Sequence, residues 1–228
     1  SRTTVQHIKL LKAYEALVEV VSDGHGLPGG LLEARIERVR ELCEQHPNSY
    51  WVNQYVNPAN FRAHFNLTIR EILSALDHQV DYIFCPTSTC GILRGCAEYI
   101  KAKELDTQIV AVDAEGSAIF APPVGNRLIP GHGASIRPAN CSDDLYDELI
   151  RVSDRECVVG CRRLVRHEAI LAGGSSGAGV AALDRLQAHI GPGKRCVLML
   201  VDRGERYLDT IYSDNWVEAN FGNILTTI

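Results

Sequence analysis

The chain has 228 residues, 46% of them apolar and 22% charged, with a formal net charge of −5. That is the composition of an ordinary soluble globular protein with enough chain for a sizeable core. The acidic balance excludes a general attraction to nucleic acid or anionic membrane, and no secretory signal, transit peptide or membrane-spanning run is visible.

Thr3 or Thr4 can cap a helix that runs to about Tyr14. Leu17–Val21 alternates and is rich in β-formers, so it reads as a strand. A Gly- and Pro-dense loop, Asp23–Gly30, leads to an amphipathic helix over Leu31–Gln45, with Leu32, Ile36, Val39 and Leu42 on one side. Tyr50–Val56 is aromatic and β-prone, and Asn57–Asn60 breaks it before a helix from about His64 to Leu76.

Asp81–Lys103 is the stretch around which the rest is arranged. Tyr82–Cys85 reads as a buried parallel strand, Pro86–Gly91 as a loop of small and hydroxyl residues, and Ile92–Lys103 as a helix. The first N–H groups of a helix have no intrahelical partners, and its dipole favours negative charge, so such a loop can hold a phosphate. Small residues after a strand also make ordinary tight turns, and the stretch alone leaves both readings open.

The next strand is Gln108–Val112, ending at Asp113. Residues 114–141 are a long irregular connection holding four of the nine prolines, a kind of segment that usually carries function. Asp143–Leu149 reads as a short helix, Ile150–Ser153 as a strand edge, and Asp154 as the cap of a helix to about Glu168. A second small-residue loop, Ala169–Gly179, feeds a helix from Ser176 or Gly177 to about His189. Cys196–Val201 is a buried strand, Asp202–Tyr207 leaves its C-terminal end, and the tail through Trp216 and Phe221 reads as short and partly packed. Strands alternating with helices predict an α/β fold with a parallel sheet and ligands at the strand C-termini.

The eight cysteines are scattered and form no Cys-x-x-Cys pair, which suits buried free thiols in a reducing cytoplasm. Cys157 and Cys161, four apart on a helix, lack a His partner at zinc spacing, so no metal is expected.

Taken together, four blocks resemble the fold-type II pyridoxal-phosphate (PLP) enzymes of the cysteine synthase group. Gln54–Asn60 with Ala63-His64 and Glu71-Ile72 is similar to the group's QF-NPAN-AH-TTGPEI segment, and Ser88–Ile92 stands where the group has GTGGT. Gly173–Ala178 is similar to GISSGA, and Asp202–Leu208 to the SSGERYLS ending. Within the group the chain most resembles the branch of N-(2-amino-2-carboxyethyl)-L-glutamate synthases, through Arg2–Thr4, Asp113–Ser117, Ile129–Gly131 with Gly133–Ser135, Gly160–Arg163, and Tyr207–Asp214.

The resemblance implies a tryptophan synthase β-like fold of parallel sheets with flanking helices, incomplete at the N-terminus. It divides the chain into 1–60, the remainder of a smaller domain, and 61–228, a larger phosphate-binding domain. It implies pyridoxal 5'-phosphate as cofactor, held by Ser88, Thr89, Cys90, Gly91 and Ile92 at its phosphate and by Ser175 at its ring nitrogen. The branch joins O-phospho-L-serine and L-glutamate, in the 2,3-diaminopropionate biosynthesis used for siderophores and peptide antibiotics. Arg35 is then expected at the donor phosphate with Tyr55 and Ser88, and Ser135 or Arg137 at substrate carboxylates. A cytoplasmic homodimer is the expected setting.

The departures are as specific. The group's Schiff-base lysine sits in a short SxK-type motif that this chain lacks, and none of its five lysines stands in a Gly/Ser loop at a strand end. That implies a chain that is inactive alone, or a non-catalytic truncated homologue. A cysteine synthase- or cystathionine β-synthase-like enzyme is the alternative activity, although Asp202-Arg-Gly argues against a plain cysteine synthase. Cys90 and Ile92 replace a Gly and a Thr of the group, and His132 also departs from its pattern.

Overall fold

The structure is a computed structural model and describes residues 5–27, 30–120 and 124–224. The expected cap at Thr3 or Thr4 lies outside them. Helices α1 (Val5–Ala13) and α2 (Gly30–Gln45) come first, followed by α3 (Pro58–Ala63). A π-helical turn (His64–Thr68) joins α3 to α4 (Ile69–Ala75). The remainder is β1 (Tyr82–Pro86), α5 (Gly91–Ala102), β2 (Gln108–Ala114), β3 (Glu148–Val152), α6 (Asp154–Glu168), α7 (Gly174–Leu186), β4 (Cys196–Leu198), a 3₁₀ turn (Gly204–Tyr207) and α8 (Asp214–Phe221).

The strands form one parallel sheet in the order β3-β2-β1-β4. Alternate side chains of a strand point to opposite faces, and here both faces are covered. Phe84, Val110 and Val112 pack with α6, α7 and the C-terminal residues Ile211, Val217 and Ile224. Ile83, Cys85, Ile109 and Ala111 pack with Ile69 and Leu73 of α4 and Leu93, Cys96 and Ile100 of α5. That two-sided burial is why the strands read as apolar runs. Helices α6 and α7 touch backbone to backbone: a Cβ on Gly177 would lie 2.1 Å from the Cys157 carbonyl oxygen, and one on Gly160 would lie 2.1 Å from that of Gly177.

Several expectations need correction. Leu17–Val21 forms no strand; Leu17 is fully exposed, and β-propensity without a pairing neighbour makes no ladder. Tyr50–Val56 is likewise turn, not strand. Asn53 has φ 39°, and the Asn57 amide donates to the Val52 carbonyl at 2.9 Å while its oxygen accepts from Ala59 N at 2.9 Å as the cap of α3. Side-chain bonds to backbone have taken the place of a ladder. Asp143–Leu149 is not a helix: it turns into β3, and Asp147 Oδ2 accepts from Ile109 N at 2.7 Å.

Ser153, not Asp154, caps α6, in a reciprocal capping box with Glu156. Asp154 instead accepts from the amides of Leu128 (2.6 Å) and Ile129 (3.3 Å), pinning the irregular 114–141 connection. Strand β4 stops at Leu198 rather than Val201, where the Val201 amide turns to donate to Ser176 Oγ at 3.1 Å. Helix α7 starts at Gly174, two or three residues before the expected Ser176 or Gly177, and the tail holds a capped helix, α8.

Candidate active site

A parallel sheet collects its strand C-termini at one edge, and the loops leaving that edge define a cavity. Its volume is about 720 Å³. Strand β1 hands over Ser88, β2 hands over the 127–135 segment, and β4 hands over Asp202, Arg206 and Tyr207. Ser175, in the first turn of α7, also lines it, as do Arg35 of α2, Gln54 and Tyr55.

Hydrogen bonds tie these loops together. Gly133 N donates to the Thr87 carbonyl at 2.8 Å, and Ser88 Oγ donates to the Gly133 carbonyl at 3.3 Å. Arg127, only 6% exposed, donates from Nη1 to the His132 carbonyl at 2.7 Å and from Nη2 to Ser135 Oγ at 3.1 Å. Gly133 has φ 67°, and a Cβ there would lie 2.8 Å from Arg127 Nη1, so glycine is needed on both counts. On the other side Tyr207 Oη donates to Asp202 Oδ2 at 2.6 Å, and burial followed by that carboxylate pushes the Tyr207 hydroxyl up, so it keeps its proton. Burial also raises Tyr55, against the opposing pull of Arg35 and Arg127, so Tyr55 is a hydroxyl donor at neutral pH.

Arg35, Arg127 and Arg206 face a single lining carboxylate, Asp202. That balance suits a ligand with several negative charges.

Helices α5 and α7 both begin at this edge, and neither N-cap residue makes a side-chain capping bond. Their first-turn N–H groups therefore have no side-chain acceptor from the cap, which is the condition for anion binding. The α5 N-cap is Cys90, held at φ 60° in a left-handed conformation that suits glycine better. The residues present fit a phosphorylated pyridine. Two uncapped helix N-termini begin at the edge where the cavity opens, and the Ser175 hydroxyl, with no hydrogen-bond partner among the described residues, lines the cavity.

Of the residues expected from sequence, Arg35, Tyr55, Ser88, Ser135 and Ser175 line the one cavity. Thr89, Cys90, Gly91 and Ile92 are not on its wall. Thr89 Oγ1 accepts from Asn60 Nδ2 at 3.1 Å, Cys90 packs on Ile119 and Ala134, and a Cβ on Gly91 would meet Asn60 Oδ1 at 2.0 Å. Of the Ser88–Ile92 segment only Ser88 lines the cavity. Arg137 is also elsewhere, paired with Asp143 at 2.8 Å.

Arg127 and Arg206 were missed as site residues. Arg127 could have been found as a cation set between Gly125-Asn126 and Ile129-Pro130 in the irregular connection, while Arg206 lay inside a recognised block. No lysine lines the cavity: Lys9, Lys12, Lys101, Lys103 and Lys194 are all exposed, and Lys194 is paired with Asp81 at 2.7 Å. Among the described residues no group of three or more His, Cys, Asp or Glu could hold a metal, and no helix is long and apolar enough to cross a membrane.

The family model described as pyridoxal-phosphate dependent enzyme matches residues 1–202. The N-(2-amino-2-carboxyethyl)-L-glutamate synthase of Ralstonia nicotianae is 44% identical over 212 residues, 92% of this chain and 62% of that protein. The chain thus spans 62% of the length of this curated relative. Among solved structures, the O-acetylserine-dependent cystathionine β-synthase of Helicobacter pylori superposes with a TM-score of 0.81 at 26% identity, over 92% of this chain and 67% of its own. The O-acetylserine sulfhydrylase isoform 3 of Entamoeba histolytica gives 0.79 at 34% identity, over 93% and 63%.

Proposed function

We propose a substrate-level reading for this chain, which belongs to the family of pyridoxal-phosphate-dependent enzymes and uses pyridoxal 5'-phosphate as cofactor. The chain carries the cofactor-phosphate and substrate half of a β-replacement enzyme. The substrates are O-phospho-L-serine and L-glutamate, and the product is N-(2-amino-2-carboxyethyl)-L-glutamate, for 2,3-diaminopropionate and siderophore or antibiotic biosynthesis. The observation that carries this is the convergence of Arg35, Tyr55 and Ser88 with Ser175 on one cavity.

When bound, the cofactor supplies the electron sink for loss and replacement of the donor's β-substituent. The residues of this chain hold and orient. Ser88 and the start of α5 behind it, Thr89–Ile92, would hold the cofactor phosphate through the uncapped helix N-terminus. Ser175 would hydrogen-bond the ring nitrogen, and a neutral hydroxyl there would leave that nitrogen largely unprotonated. Arg35 takes the donor phosphate, with Tyr55 and Ser88 donating hydroxyl protons. Ser135, whose hydroxyl accepts from Arg127, would meet a substrate carboxylate.

The exposed lysines favour a second reading, in which the chain binds the cofactor's phosphate without catalysis. Residues 1–60 are read as the remainder of the smaller domain, supported by the lack of any buried residue in α1 or α2, and 61–228 as the larger. A cytoplasmic homodimer suits the eight free thiols and the exposed Tyr14, Leu17, Tyr50 and Val52.

Calorimetric titration of the chain saturated with pyridoxal phosphate tests the substrate reading. O-phospho-L-serine is expected to bind and O-acetyl-L-serine to bind at least about tenfold more weakly, with Arg35→Gln erasing the difference. Equal binding of the two donors favours the cysteine synthase-like alternative. Borohydride reduction distinguishes catalysis from binding: no lysine adduct is expected on this chain, and a stoichiometric one overturns that expectation.

A further inference from the structure

Three arginines line the cavity, and Arg127 alone of them is buried. Its guanidinium is held at two points of one turn. Nη1 donates to the His132 carbonyl at 2.7 Å, and Nη2 donates to Ser135 Oγ at 3.1 Å. The residue before Ser135 is pinned as well: Ala134 N donates to Ser117 Oγ at 3.2 Å, and the Ala134 carbonyl accepts from Ala118 N at 2.8 Å. Ser135 therefore stands on a braced turn with a buried cation bonded to its hydroxyl. That hydroxyl accepts from Arg127, and its own proton has no acceptor among the described residues. A hydroxyl polarised in this way donates well to an oxygen anion and is a poor partner for an N–H group.

We propose that Arg127 determines specificity for the acceptor: it positions the Ser135 hydroxyl to donate to an acceptor carboxylate, so that the cavity takes a dicarboxylic amino acid in preference to its amide. This role rests on the substrate reading above, in which Arg35, Tyr55 and Ser88 serve the donor phosphate. Arg127 and Ser135 are then a second anion-binding unit in the same cavity.

Arg127 acts through Ser135 and is a positioning residue. An arginine is required because its planar fork reaches two acceptors in fixed directions, whereas a lysine ammonium supplies charge without that geometry. An amide in place of the carboxylate keeps one oxygen but adds an NH₂ group. That group meets a hydroxyl already polarised by a cation and brings no charge for Arg127 to favour.

The chain saturated with pyridoxal phosphate is titrated calorimetrically with L-glutamate, L-glutamine (side-chain carboxylate replaced) and L-isoglutamine (α-carboxylate replaced). O-phospho-L-serine, titrated separately, reports on the donor site. Wild type is expected to bind L-glutamate at least about tenfold more tightly than one of the two amides, which identifies the carboxylate held. Ser135→Ala and Arg127→Lys are expected to erase that preference while O-phospho-L-serine still binds, and Ser135→Thr to keep it. No binding of glutamate, or equal binding of glutamate and both amides by wild type, overturns the proposal. So does a preference that survives in Ser135→Ala or Arg127→Lys. Parallel loss of glutamate and O-phospho-L-serine in Ser135→Ala marks a merely structural role and overturns it too. If wild type selects glutamate but does not bind O-phospho-L-serine, the donor reading falls and the role of Arg127 stands.

Discussion

The Thr87 hydroxyl donates to Asp113 Oδ1 at 2.8 Å, joining the C-terminal ends of β1 and β2 beneath the cavity. Both residues are buried, and Asp113 Oδ2 has no partner among the described residues. Removing one partner of such a bond strands a desolvated group. Thr87→Val is therefore expected to cost about 2–3 kcal/mol in urea denaturation, more than an exposed Thr→Val change.

Burial raises the Asp113 carboxyl above its ordinary 3.8, against the hydroxyls of Thr87 and Ser117. Between 3.8 and the raised value the folded chain holds a proton that the unfolded chain has released. Asp113 thus contributes stability at low pH that is lost as pH rises through that window. Asp113→Asn is expected to remove this falling component, seen as a change in slope when wild-type and variant melting temperatures are compared from pH 4 upward.

His132 acts in the opposite direction. It is 0% exposed with neither ring nitrogen hydrogen-bonded among the described residues, and burial, then Arg127, pulls it down to about 3. Between about 3 and 6.5 the unfolded chain binds a proton that the folded chain refuses, so stability falls as pH drops. At pH 5 the loss relative to neutral pH is about 2 kcal/mol. His132→Leu is expected to abolish it while leaving stability at pH 7 unchanged or higher, because an apolar group replaces an unpartnered polar one. Denaturant midpoints at the two pH values check both statements.

Much of the sheet was legible in the sequence because β1 and β2 are buried on both faces and read as short apolar runs, β1 ahead of the amphipathic helix α5 and β2 ahead of the irregular connection. Leu17–Val21 and Tyr50–Val56 misled because propensity reports a surface suited to pairing, not the presence of a neighbour. The cavity was legible where a recognisable loop carries it, at Ser88, Ser175 and Tyr55. Arg127 was hidden because its role is set by contacts to His132 and Ser135 within an irregular connection that has no periodicity.

The backbone contact between α6 and α7 leaves no room at Gly177. Gly177→Ala is expected to lower stability by more than about 3 kcal/mol or to prevent folding, since the obstacle is the Cys157 carbonyl and not a movable side chain. Gly179→Ala, whose nearest atom would be Leu198 Cβ at 3.9 Å, is the tolerated control in the same helix, with both read by thermal melts.

The central claim is that the α5 N-terminus and the cavity beside it receive the cofactor through its phosphate. Equilibrium dialysis of pyridoxal phosphate against pyridoxal, on wild type and on Ser88→Asp, tests it most directly. The account predicts that the phosphorylated compound binds wild type at least about tenfold more tightly and that the introduced carboxylate removes this advantage. Equal affinity for the two compounds, or an advantage that survives Ser88→Asp, would contradict it.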